Sequence, residues 1–127
     1  MSHHGTFFWS ELNTGDVEAA KAFFGTTIGW TFATMPNSDP NYWIAFNNGV
    51  PQAGIVPLTM FAPPGAPPHW FSYLAVDDVD KRLEKLIDAG GVIIRPAFDV
   101  PDVGRIAIVK DPTGAVMGWM TPVERSQ

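Results

Sequence analysis

Residues 69–91 read HWFSYLAVDDVDKRLEKLIDAGG, and this stretch predicts a strand followed directly by an amphipathic helix. Residues 69–76 are rich in aromatic and aliphatic side chains, which favours a strand. After Asp78, apolar residues recur at i, i+4, i+7 and i+8, the spacing of one helix face, at Val79, Leu83, Leu86 and Ile87. Gly90 and Gly91 then predict the end of the helix.

The first half of the chain has the same order of elements. Residues 6–12 predict a strand, Thr14 or Asp16 can cap the helix that follows, and Gly25 and Gly29 bracket its end. Three more strands are predicted after each helix, at residues 30–35, 42–47 and 52–56, and at residues 92–98, 104–110 and 115–121. Each half therefore has the order βαβββ, which predicts the α+β class.

Aligning the halves at their helix starts places Trp9 opposite Phe71 and Glu11 opposite Tyr73. Few residues are identical, but the matching order of elements indicates an internal duplication. A chain of 127 residues is long enough for one sizeable core. We therefore expect a single domain over residues 1–127, with one module at about 6–57 and a second at about 69–122.

The connector between the modules, residues 57–68, reads PLTMFAPPGAPP. It is predicted to contain neither a central strand nor a helix interior, because proline lacks the backbone donor that both require. A spacer is the interpretation that this composition favours. The same composition is also found in motifs that proline-binding domains recognise, so a protein-interaction module is a further class of function to test.

Composition excludes several kinds of function. The net charge is −5 and the eight basic residues are scattered, so nucleic acid is not expected as a partner. The absence of cysteine excludes disulfides, thiolate metal ligands and a cysteine nucleophile. The sequence has neither an apolar run of about 18 residues nor a signal-peptide pattern, so we expect a cytoplasmic protein with no membrane partner. The aromatic content of 13% can fill a core or line a ligand pocket.

Two motifs connect the duplicated pattern with a known family. They are GDVEAAKAFF at residues 15–24, continuing to Ile28-Gly29-Trp30, and DPTG at residues 111–114, leading into the last strand. Through these two motifs and the duplicated pattern, the chain resembles the vicinal oxygen chelate superfamily, which contains glyoxalase I, bleomycin-resistance proteins and extradiol dioxygenases. Residues 9–14 and 69–73 are similar to a glyoxalase-like group within it. The resemblance implies a curled mixed sheet around a cavity, formed within one chain or across a homodimer.

The resemblance also implies where a divalent metal would bind. The superfamily's ligand positions fall on residues that offer no donor, namely Trp9, Phe71, Gly118 and a position near Ala45. We therefore expect no metal cofactor. One alternative stays open, because Glu11 and His69 lie two residues from two of these positions, on the same strand faces, and two copies could bind a metal together.

The leading hypothesis is a metal-free protein that binds a small apolar or aromatic ligand. The residues expected to contact that ligand are Trp9, Glu11, His69, Phe71, Tyr73, Gly118 and Met120. The competing hypothesis is a lyase or isomerase, with or without a divalent metal, in which Glu11 is the general base, because aromatic neighbours would raise the pKa of its carboxyl. The same residues could also form an ordinary core, with Glu11 as a structural anchor.

Overall fold

The computed structural model describes residues 3–36, 39–100 and 103–123. In chain order the elements are β1 (Phe7–Thr14), α1 (Val17–Ile28), β2 (Thr31–Ala33), β3 (Trp43–Asn47), β4 (Val50–Pro57), α2 (Leu58–Phe61), β5 (His69–Ala75), α3 (Val79–Asp88), β6 (Val92–Val100), β7 (Gly104–Lys110) and β8 (Val116–Pro122). The predicted α+β class and the repeated order βαβββ are confirmed. The described residues fall into two compact units, Trp9–Phe71 and residues 3–8 with 72–123.

The first module consists of β1 to β4 with α1, and its strands lie in the order β2-β3-β4-β1. Strand β1 pairs with β4 in parallel, whereas β2–β3 and β3–β4 are antiparallel, so the sheet is mixed as predicted. The parallel register sets Glu11 beside Gly54 and Asn13 beside Val56. This register positions the candidate site.

The second module repeats the arrangement with β5 to β8 and α3, in the order β5-β8-β7-β6. Strand β5 pairs with β8 in parallel, and the register sets Tyr73 beside Gly118. One side of this sheet packs against α3 in a hydrophobic cluster of Val76, Val79, Leu83, Leu86, Ala107 and Val109. Helix α1 differs from α3, because no residue of α1 is buried.

Both helices begin where the sequence predicts. The Asp16 side chain accepts a hydrogen bond of 2.9 Å from the Ala19 amide, and the Asp78 side chain accepts one of 3.2 Å from the Lys81 amide. Helix α1 ends at Gly29, whose φ of 78° is left-handed, as the position after a helix favours. These local signals determine the helix boundaries.

The connector and one residue of α3 differ from the sequence prediction. The connector contains one helical turn, α2, because Leu58–Phe61 includes no proline and Pro57 precedes the turn, where its missing amide hydrogen is not needed. Ile87 is 58% exposed although it was assigned to the buried stripe of α3. At 100° per residue it lies about 80° around the helix from Val79, at the edge of the stripe.

No helix in the described part of the chain is long and apolar enough to cross a membrane.

Candidate functional site

The candidate site lies on the face of the first sheet that α1 leaves uncovered. Alternation along β1 sets Trp9, Glu11 and Asn13 on one face, together with Gly54 of β4. Helix α1 is on the other face, where the Lys21 ammonium lies 3.2 Å from the centre of the Trp43 ring. We refer to the side of the first sheet formed by Trp9, Glu11, Asn13 and Gly54 as the helix-free face.

The helix-free face carries a buried carboxyl and a buried amide. Glu11 is 3% exposed and Asn13 is 2% exposed, and they are the two buried polar residues among those described. Burying a carboxyl or an amide costs free energy unless hydrogen bonds replace those made with water. The partners of these two side chains therefore decide what the face can do.

Tyr42 supplies the partner of Glu11. Its hydroxyl donates a 2.7 Å hydrogen bond to Glu11 Oε2, and the same hydroxyl accepts a 2.8 Å hydrogen bond from Trp9 Nε1. The indole, the phenol and the carboxyl are thus joined by consecutive hydrogen bonds. The predicted site residues Trp9 and Glu11 are brought together in this way, through a third residue that the sequence did not identify.

Gly54 makes room for Tyr42. A Cβ atom at residue 54 would lie 2.7 Å from Tyr42 Cζ, which is closer than carbon atoms approach in proteins. The tyrosine ring therefore passes over a residue that must lack a side chain in order to reach Glu11. A glycine inside a strand is typical of such close approaches, and it was the one sequence signal that could have indicated this contact.

Asn13 and Tyr42 were also missed by sequence analysis. Tyr42 precedes β3 and is 31 residues from Glu11 in the chain, so only the strand pairing reveals the contact. Asn13 lies just beyond the predicted strand of residues 6–12, whereas β1 continues to Thr14 and buries it. The alternation from Trp9 through Glu11 to Asn13 would have indicated its face if the strand end had been known.

The predicted residues of the second module occupy the corresponding face of their own sheet. Tyr73 is 7% exposed and pairs with Gly118, while Met120 is 4% exposed and pairs with Ala75. They lie on the side away from α3, since α3 packs against the alternate residues of β7. The pairs Glu11–Gly54 and Tyr73–Gly118 are therefore equivalent in the duplication.

Two other predicted residues open β5. Phe71 is partly buried, and alternation sets it on the same side of the strand as His69. The Nδ1 atom of His69 lies 2.8 Å from the Pro67 carbonyl oxygen, so this nitrogen donates to the backbone. His69 is thereby tied to the end of the connector.

The residues at the superfamily's metal positions do not fit a divalent cation. The Trp9 indole carries no lone pair for a metal and its N–H is bonded to Tyr42, while Phe71 and Gly118 have no donor atoms. Across residues 3–36, 39–100 and 103–123, no three His, Asp or Glu side chains converge as metal ligands do.

Two clefts lie elsewhere on the molecule. One, of about 330 Å³, is formed by α2 and the connector and is lined by Leu58, Thr59, Ala62, Pro63, Pro64, Gly65 and Ala66. The other, of about 150 Å³, lies beside α3 and is lined by Leu86, Ala89, Gly91, Asp111, Pro112 and Trp119. The first has no titratable side chain, and neither contains a predicted site residue.

Three aspartates on the surface of the second module have lowered pKa values. Hydrogen bonding to Arg105 lowers the pKa of Asp80, and hydrogen bonding to Arg82 lowers that of Asp77. The Thr113 hydroxyl is the main cause of the lowered pKa of Asp111, within the turn before β8. The amide of Gly114 donates to the Asp111 carbonyl in this turn, as the sequence predicts. These groups stabilise local structure and lie outside the candidate site.

Comparison with known proteins identifies one protein family for this chain. Residues 4–117 match the sequence model of the Glyoxalase/Bleomycin resistance protein/Dioxygenase superfamily. The chain is 42% identical over 116 residues to "Putative glyoxylase CFP32" of Mycobacterium tuberculosis, an alignment that covers 90% of this chain and 44% of that protein. It is 28% identical over 119 residues to "Anthracycline biosynthesis protein DnrV" of Streptomyces peucetius, covering 84% of this chain and 43% of that protein. The chain thus spans about half the length of the curated relatives it matches.

Solved structures share the fold. A hypothetical protein, BH1468 of Bacillus halodurans, superposes with a TM-score of 0.67 at 12% identity, covering 97% of this chain and 98% of that one. A methylmalonyl-CoA epimerase of Mycobacterium tuberculosis superposes with a TM-score of 0.63 at 14% identity, covering 98% and 92% of the two chains. At these identities the likeness shows the architecture.

Proposed function

Because the chain belongs to the Glyoxalase/Bleomycin resistance protein/Dioxygenase superfamily, we propose that it is a metal-free small-molecule-binding protein. The ligand is apolar or aromatic and binds on the helix-free face. The observation that carries this proposal is the pair of buried polar side chains on that face, Glu11 and Asn13. Glu11 is hydrogen-bonded to Tyr42, whose hydroxyl also accepts from the Trp9 indole. A few placed polar groups among aromatic walls are typical of small-molecule sites.

The relatives support this ligand class. DnrV is named for anthracycline biosynthesis, and anthracyclines are fused-ring aromatic compounds. Trp9 offers an aromatic surface for a ring of this kind, since offset and edge-to-face ring contacts are favourable. The absence of donor atoms at Trp9, Phe71 and Gly118 supports binding without a metal.

The test is calorimetric titration with 1,4-dihydroxyanthraquinone, using two matched tryptophan variants. Trp9→Leu removes the ring from the helix-free face and is expected to weaken binding by about tenfold. Trp43→Leu removes a ring from the opposite face of the same sheet and should leave the affinity unchanged. Treatment with a chelator should also have no effect. Equal weakening by both variants, or loss of binding after chelation, would contradict the proposal.

The bond between Tyr42 and Glu11 favours a second candidate, a lyase or isomerase. A carboxylate 2.7 Å from a phenol hydroxyl can act as a general base, since it can take a proton from a carbon next to a carbonyl group and return it to a neighbouring atom. The relative named as a glyoxylase agrees with this candidate. The probe is the hemithioacetal of methylglyoxal and glutathione, followed by exchange of its C–H proton with deuterium. If Glu11→Gln exchanges as fast as the natural protein, Glu11 is not the base.

We also propose that the protein forms a homodimer. The alignment with its relatives leaves more than half of each relative unmatched, enough length for a second unit of this size. Helix α1 buries none of its residues, and Phe23 and Ile28 on it are 59% and 53% exposed. A second copy would cover such apolar surface. Sedimentation equilibrium should give a dimer that Ile28→Lys weakens. Val50→Lys changes a similarly exposed residue of β4 and should leave the dimer intact. A monomer at every concentration would refute the proposal.

A further inference from the structure

Asn13 carries a hydrogen-bonding capacity that the described structure does not use. Its side chain is 2% exposed, and Oδ1 has no hydrogen-bond partner. Nδ2 makes one long contact, 3.5 Å, with the Glu11 carbonyl oxygen of the same strand. An unpartnered buried acceptor destabilises a protein, so such atoms in native structures call for an explanation.

The orientation of the amide is determined by its surroundings. Exchanging Oδ1 and Nδ2 would set two acceptor oxygens 3.5 Å apart, with no donor between them. The amide nitrogen therefore points to the strand's own carbonyl group, and the oxygen points away from it. Oδ1 is left as an acceptor on the face that carries Glu11 and Trp9.

The fold does not require an amide at residue 13. The neighbour of Asn13 on β4 is Val56, which is buried and apolar. In the duplicated module, the equivalence of the Glu11–Gly54 and Tyr73–Gly118 pairs sets Ala75 at the same place, and Ala75 is 1% exposed. The second module thus has an apolar residue at the position that Asn13 occupies in the first.

We propose that Asn13 Oδ1 accepts a hydrogen bond from a hydroxyl or N–H group of the bound ligand. The inference rests on the proposed binding function and narrows it, since the ligand is then an aromatic compound with a neutral donor. A site built to hydrogen-bond a donor discriminates strongly against an analogue that lacks it, because the buried acceptor is then unpaired.

The experiment compares two probes of similar shape. The hydroxyl of 2-naphthol can donate a hydrogen bond, whereas 2-methoxynaphthalene has the same ring system and no donor. We expect the natural protein to bind 2-naphthol about tenfold more tightly. Asn13→Leu should reduce this preference to about twofold or less, while Ser10→Ala, on the opposite face of β1, should keep it.

The melting temperature of the protein without ligand tests the unpaired acceptor separately from binding. Leucine has a similar size and no unpaired acceptor, so Asn13→Leu without ligand should raise the melting temperature by about 3 °C. A preference for 2-naphthol that persists in Asn13→Leu would overturn the inference, whether or not the melting temperature is lowered. Equal affinity of the natural protein for both probes would refute the role of Asn13 and leave the binding function intact. Binding of neither probe would refute both.

Discussion

The contact between Gly54 and Tyr42 allows a sharp prediction, because a methyl group at residue 54 would displace the Tyr42 ring. A Cβ atom there would lie 2.7 Å from Tyr42 Cζ and 3.0 Å from Tyr42 Cε1. The ring must move, and its hydroxyl then leaves Glu11 and Trp9. Overpacking costs about 1–3 kcal/mol and each lost hydrogen bond about 1 kcal/mol, so we expect Gly54→Ala to destabilise the protein by about 3 kcal/mol.

A second glycine in the first module provides the matched control. Gly25 lies inside α1, and a Cβ atom there would meet its nearest neighbours, Trp30 O and Phe32 Cε2, at 3.6 and 3.8 Å, which is ordinary contact. Alanine is the better helix former, so Gly25→Ala should stabilise the protein by about 0.5–1 kcal/mol. The same chemical change is thus expected to have opposite signs at the two positions.

Urea denaturation at 25 °C, followed by far-ultraviolet circular dichroism, measures both effects. With an m-value of about 2 kcal/mol/M, Gly54→Ala should lower the midpoint by roughly 1.5 M. In a Tyr42→Leu background, which lacks the outer ring atoms, the same substitution should cost less than about 1 kcal/mol. The reasoning is wrong if Gly54→Ala is as stable as the natural protein, or if its cost is the same in both backgrounds.

Two further predictions concern single hydrogen-bonded groups. Tyr42→Phe keeps the ring and removes the donor to Glu11, so we expect a loss of about 2 kcal/mol in urea denaturation, and an unchanged free energy of unfolding would show that this bond contributes nothing. The fold lowers the pKa of Asp111 below its usual 3.8, chiefly through the Thr113 hydroxyl, so the unfolded chain takes up the proton first and stability falls as the pH decreases below about 4. Melting temperatures measured against pH should therefore decline less steeply for Asp111→Asn, and parallel curves would contradict this.

Much of the fold follows from local signals in the sequence. The caps at Asp16 and Asp78, and the stripe of Val79, Leu83 and Leu86, are properties of neighbouring residues, so they can be recognised without tertiary information. The duplication then fixes the order of elements in both modules. The strand ends were less certain, because frayed termini carry weak signals.

The site was only partly predictable. Glu11 and Trp9 were identified from alternation along β1, but the contact with Tyr42 depends on parallel pairing between β1 and β4, which joins residues far apart in sequence. Asn13 was missed because its burial depends on how far β1 extends, and residues before a helix are usually in turns. Ligand binding depends on the chemistry of these side chains, and the spacing of apolar residues along the chain does not encode it.

The contrast between the two helices has a consequence for hydrogen exchange. Helix α3 buries Val79, Leu83 and Leu86, so exposing its amides to solvent requires disruption of the hydrophobic cluster. Helix α1 buries none of its residues and can detach from its sheet at a smaller free energy. The amides of α1 in a single chain therefore exchange through local opening, and those of α3 through unfolding of their whole module.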